Sequence, residues 1–154
     1  ATLKNIKNKP QKINLNIPSK WIQLYKYKGN WILYDNIPKY ELRDSCLIKY
    51  EMEDFISIIK EIKNKENKIY LTLIEYNNQD INNNLESEIT IKILDKEKYI
   101  TLWRIESNGR FHYRIMLPTN QVINYPIMVL ESSELLSDET DIFDEIDYEK
   151  LWND

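Results

Sequence analysis

His112, set between Phe111 and Tyr113, is the only histidine in the chain, and Cys46 is the only cysteine. A general base needs a nucleophile and an orienting carboxylate within reach, so any Ser-His-Asp arrangement would have to be built on His112. A single cysteine permits no internal disulfide and no cysteine-built zinc site. A histidine metal cluster is excluded in the same way. Cys46, in Ser45-Cys46-Leu47, has no neighbouring cation to draw out a thiolate and reads as a small buried hydrophobe. Asp138, Glu139, Asp141, Asp144, Glu145 and Asp147 supply oxygen ligands. They lack the alternating order, central glycine and closing glutamate of a calcium loop, so a solvated face describes them better. Glu51, Glu53 and Asp54 could share acid–base work, but a chain with 25 acidic residues makes such groupings common. The two glycines, Gly29 and Gly109, cannot build a phosphate-cradling loop or a dinucleotide fingerprint. An enzyme is therefore the least favoured class, and neither a cofactor nor a metal is expected.

Binding is better supported than catalysis. The chain holds eighteen aromatic residues, eleven of them tyrosine. Tyrosine and tryptophan join a wide apolar face to a polar handle, which suits binding surfaces and barrel interiors alike. Charge is strongly graded. Seven lysines and no acid lie between Ala1 and Lys28, whereas ten acids and only Lys150 lie between Asn120 and Asp154. Such runs are commonly solvated tails, and here they could also attract each other across one folded body. Nucleic acid is not expected as a partner. The basic arm has no arginine for bidentate contacts, and the acidic end would repel phosphate.

A length of 154 residues suits one domain with a real core. No run approaches the roughly 18 apolar residues that would span a membrane. Residues 1–20 read as a basic arm or linker, residues 21–132 as a β domain, and residues 133–154 as an acidic segment packed on that domain. Within the domain, Trp31–Tyr34 and Ile69–Tyr76 have strand chemistry. Leu42, Asp44, Cys46, Ile48 and Tyr50 share one face of an extended stretch. Ile89, Ile91 and Ile93 alternate with polar neighbours, as do Trp103 and Ile105. Asn108-Gly109 is the strongest hairpin signal and leads into Phe111–Leu117. Short connections between these runs imply an antiparallel meander. By parity Trp31, Leu33, Ile69, Leu71, Leu73, Ile91, Trp103, Tyr113 and Ile115 are expected to face inward. The stretch Gln121–Leu130, broken by Pro126, suits an edge strand or a covering loop. Residues 52–65 are ambiguous. Phe55, Ile58, Ile59 and Ile62 stand at helical spacing, which favours a helix near residues 54–64 and an α+β alternative.

The turn Lys28-Gly29-Asn30-Trp31, opening a run of strands, resembles the Gly-X-Trp signature of lipocalins. The stretch from Tyr40 to Leu117 is similar to lipocalin-like proteins secreted by bacteria, and the asparagine-, lysine- and isoleucine-rich composition suits an AT-rich genome. The resemblance implies an all-β fold, a small antiparallel up-and-down barrel or curved meander of about eight strands, with a strand at residues 52–65. It implies Trp31 packed near the closed end beneath an arginine, with Arg104 and Arg114 as candidates. It also implies a noncatalytic secreted or envelope protein binding a small apolar or amphipathic ligand, through Trp31, Trp103, Tyr113 and Arg114. A chain opening on Ala1 fits a mature protein tethered after a removed leader, and a monomer is expected. A second class of function stays open: a protein-binding module in which Phe143, Tyr148 and Trp152 of the acidic tail meet a basic partner.

Overall fold

Tight turns set the course of the chain. Lys28 (φ 48°) with Gly29 (φ 82°), and Asn108 (φ 53°) with Gly109 (φ 75°), place two consecutive residues at positive φ. That is the geometry of a two-residue hairpin matched to strand twist, and glycine adopts it without steric penalty. The structure, a computed structural model, describes residues 18–34, 37–51, 53–75, 85–128 and 142–154. The arm up to residue 17, residues 76–84, and Asp138, Glu139 and Asp141 lie outside these residues.

Among the described residues nine strands form one antiparallel sheet. They are β1 (Lys20–Tyr27), β2 (Asn30–Leu33), β3 (Tyr40–Leu42), β4 (Cys46–Tyr50), β5 (Asp54–Lys65), β6 (Lys68–Glu75), β7 (Leu85–Asp95), β8 (Ile100–Ser107) and β9 (Arg110–Pro118). The sheet closes because β1 also pairs with β9, from Trp21 opposite Pro118 to Leu24 opposite Ile115. Eight strands make the barrel. The ninth, β2, is a hairpin extension hydrogen-bonded to the second half of β1. A 3-10 helix (Thr119–Asn124) and a short helix, α1 (Tyr148–Asn153), follow the strands. No helix among the described residues is long and apolar enough to cross a membrane.

Strand alternation separates two apolar layers. Trp21, Tyr40, Leu42, Leu47, Ile59, Leu71, Leu73, Ile89, Ile91, Trp103 and Met116 form the buried interior of the barrel. Trp103 is fully buried, with its ring centroid 5.4 Å from Trp21 and 5.0 Å from Tyr40. Its indole N–H donates to Thr101 Oγ1 at 3.0 Å, so no polar atom of the ring is left unsatisfied. The second layer lies on the outer face of β1, β8 and β9. There Ile22, Leu24, Ile100, Leu102, Ile115 and Leu117, with Leu33, are covered by side chains of the 3-10 helix and the tail.

The structure corrects four readings. Residues 54–65 are strand, as the resemblance implies, and not the helix that their apolar spacing favours; a β-bulge between Ile59 and Glu61 explains the misleading pattern. The bulge resets the pleat, so inward Ile59 and Ile62 stand three residues apart. Residues 42–50 are two strands joined at Arg43–Ser45, where the Arg43 N–H donates to the Cys46 carbonyl at 2.9 Å. The inward expectation holds for Ile69, Leu71, Leu73, Ile91 and Trp103. It fails for Trp31, Leu33, Tyr113 and Ile115, which belong to the outer layer. The register sets Arg114, not Tyr113, opposite Trp103. Lastly, Trp31 lies outside the closed barrel on β2. The cation over its ring is Lys26, with Nζ 5.4 Å from the centroid, rather than Arg104 or Arg114.

One carboxylate of the wall is buried. Glu41, 6% exposed, accepts from Arg43 Nε and from the Tyr50 hydroxyl at 3.1 Å. The Arg43 bond, helped by Tyr50, holds its carboxyl below the ordinary range even though burial opposes this. A folded-state pKa below the unfolded one adds stability above the ordinary carboxylate pKa. That stability is lost as pH falls through the folded value. Glu41→Gln should therefore melt earlier than wild type at neutral pH, with the gap closing in acid. Thermal melts across an acid series check this, and a gap independent of pH would contradict it.

Candidate functional site

Pairing between β1 and β9 stops at Leu24 and Ile115. Beyond that point β1 runs on toward its hairpin with β2, while β9 stays with β8, and the tail crosses the gap between them. The Asp144 N–H donates to the Lys26 carbonyl at 2.8 Å, in the place a barrel strand would take. The Asp144 carboxylate accepts from the Lys28 and Gly29 amides at 3.1 and 2.9 Å, stitching the tail to the hairpin turn. Phe143 stacks on Tyr25 with centroids 4.6 Å apart and meets Tyr34 edge-on.

The gap leaves a cleft of about 470 Å³ lined by Gln23, Tyr25, Lys26, Arg114, Phe143 and Tyr148, among others. Arg114 is its central cation. It shares the inward face with Trp103, is half-buried, and donates from Nη1 to Gln23 Oε1 at 2.7 Å. Burial pushes the Tyr40 phenol above its ordinary value, and the Arg114 guanidinium beside it partly offsets the rise. The same balance acts on Tyr148, where burial dominates and Arg114 opposes it. No carboxylate among the described residues forms an ion pair with Arg114. A guanidinium held by an amide and flanked by phenols keeps donors available for an anion.

The inner face opens toward this end of the barrel. Trp21, Tyr40 and Trp103 seal the floor, Ser57, Ser87 and Ile105 are partly exposed, and Phe55 and Leu85 at the strand ends are 50% and 53% exposed. An amphipathic molecule resting above the filled floor would find apolar rim residues, the Arg114 and Lys26 cations, and the Asp144 and Glu145 carboxylates on the tail side.

The expected ligand residues do not converge. Arg114 lies in the cleft, and Trp103 lies beneath it with no exposed surface. Tyr113 faces outward, and Trp31 lines a separate hollow beside β2. Gln23 and Tyr25 complete the site and were not singled out from the sequence. Gln23 carried a signal: it is the one non-aromatic position between Trp21 and Tyr25 on their shared face.

The tail aromatics have partners within the chain. Trp152 lies beneath Arg104 and Lys68, at 4.1 and 4.7 Å from its ring centroid. Tyr148 stacks on Tyr113 with centroids 5.6 Å apart, and the Tyr113 hydroxyl donates to Glu149 at 2.8 Å. Lys92, buried on β7, donates from Nζ to the Leu151 and Trp152 carbonyls at 2.7 and 3.0 Å, satisfying the end of α1. Lys68, Lys92 and Arg104 of the barrel thus hold the Trp152 ring and the last carbonyls of α1. Asp147, read as part of an acidic face, caps the start of α1 by accepting from the Lys150 amide. His112 is exposed on β9, and burial pushes the half-buried Cys46 thiol up, away from thiolate. Neither a family model, a curated protein nor a solved structure matches the chain.

Proposed function

We propose that this chain is a noncatalytic, lipocalin-like binding protein of secreted or envelope type, taking a small amphipathic ligand at the open end of its barrel. The observation that carries this reading is Arg114, a half-buried guanidinium fixed by Gln23 and bordered by Tyr25, Tyr148 and Phe143, without an ion-pair partner among the described residues. An acidic head would exchange water for the Arg114 donors, and the body would lie on the aromatic walls and the Phe55–Leu85 rim. The filled floor limits the ligand to one that sits above Trp103 instead of threading the barrel.

Anilinonaphthalene sulfonate, an apolar ring system with one anionic group, is a suitable probe. It should bind the folded protein saturably with enhanced emission, and Arg114→Gln should weaken binding by about tenfold, the value of one charge-assisted contact. Absence of saturable binding, or equal affinity in the variant, would sink this reading.

A further inference from the structure

The hairpin extension β2 carries a second binding feature, independent of Arg114. Tyr25 opposite Ile32 and Tyr27 opposite Asn30 alternate along the hairpin with Leu24 opposite Leu33 and Lys26 opposite Trp31. In an antiparallel pair only every second residue bonds across the ladder, and the residues between direct their N–H and C=O to the outer edge. Leu33 is one of these: its N–H donates to the Pro126 carbonyl at 2.9 Å, and its carbonyl accepts from Met128 at 2.7 Å. These bonds make a parallel bridge between Leu33 and Ile127. Trp31, two residues earlier, directs its own N–H and C=O the same way, and no described residue takes them.

Among the described residues, the chain before Pro126 turns away from them. The Tyr125 N–H bonds back to the Val122 carbonyl at 3.1 Å, closing the 3-10 helix instead of extending along β2. A hollow of about 440 Å³ remains, lined by Tyr27, Lys28, Trp31, Asn124, Tyr125 and Pro126, among others. Lys28, in its lining, holds an ammonium over the Tyr27 ring at 5.2 Å, and the neighbouring Lys26 holds another over the Trp31 ring. The Asp144 carboxylate nearby is already taken by the two turn amides. Ile123 and Ile127, flanking Asn124–Pro126 in sequence, are 89% and 51% exposed.

We infer that this edge docks an extended acidic segment of a partner protein. The segment adds a short strand beside β2, bonds its backbone to Trp31, and sets carboxylates against Lys26 and Lys28 with apolar side chains on Ile123 and Ile127. Main-chain bonds give such docking its affinity and side chains give its selectivity. The lysines select acidic segments, and the Leu33–Ile127 bridge shows that this edge already accepts a parallel chain.

The test uses a capped peptide of alternating valine and glutamate, its lysine counterpart, and the acidic peptide with an N-methylated backbone. The acidic peptide should slow Trp31 amide exchange and bind about tenfold more tightly than the lysine peptide. Lys28→Glu, at an exposed turn position, should reverse that preference. Equal binding of the N-methylated peptide, or an unaffected Trp31 amide, would overturn the inference. So would Trp31 protection that grows with protein concentration alone, because a second copy would then own the edge.

Discussion

Trp103→Ala should lower the unfolding free energy by about 3–5 kcal/mol, the range for emptying the space of a buried large aromatic. In a chain of this size that corresponds to a fall in Tm of roughly 10 °C. The magnitude follows from its position. Trp103 is fully buried, touches both Trp21 and Tyr40, and gives its indole proton to Thr101. Removing it leaves a void among side chains on opposite walls, which backbone pairing prevents from collapsing inward. Equilibrium denaturation of both proteins checks the prediction. A loss below about 1 kcal/mol would mean that Trp103 lines an open calyx, and the ligand would then have to be placed lower in the barrel.

Removing residues 142–154 is the second large effect. Phe143, Ile146, Tyr148, Leu151 and Trp152 each cover part of the barrel wall, and half-burial of such side chains is worth about 1 kcal/mol apiece. The truncated chain should therefore unfold at a lower midpoint in denaturant than the intact protein. It should also lose tight binding of the anionic probe, since Phe143 and Tyr148 form one side of the Arg114 cleft. An unchanged midpoint in denaturant would mean the tail contributes nothing to the fold and is free to meet another protein.

These two regions differ in how far the sequence reveals them. The interior strands are legible because their residues obey the pleat. Ile69, Leu71 and Leu73 alternate cleanly, and Asn108-Gly109 marks its turn through positive φ at both positions. Where the chain departs from a two-residue repeat, the pattern misleads. The bulge after Ile59 produces a three-residue apolar spacing that imitates a helix face. The turn at Arg43–Ser45 resets the parity, which is why Leu42 and Leu47, of opposite parity, both reach the interior.

Tyr113 shows a subtler limit. Its alternation with Ile115 is real, yet alternation does not say which of two apolar faces is inward when both are covered. The tail covers the outer face of β8 and β9, so both faces of those strands carry large apolar residues. Docking of the tail itself rests on pairs more than thirty residues apart in sequence, such as Tyr113 with Glu149 and Lys92 with Leu151 and Trp152. No local signal encodes them beyond the complementary charge of the two ends. The Arg114 cleft is hidden for the same reason. It exists only because β1 leaves β9 after Leu24, an event decided by barrel closure.

Amide chemical-shift mapping by NMR, with decanoate titrated into the intact protein, tests the central claim most directly. Binding as proposed would move resonances of Gln23, Tyr25, Arg114 and Tyr148 along one saturable curve and leave those of Leu42 and Met116 on the barrel floor unmoved. Saturable shifts centred on the floor, or none at all around Arg114, would contradict it.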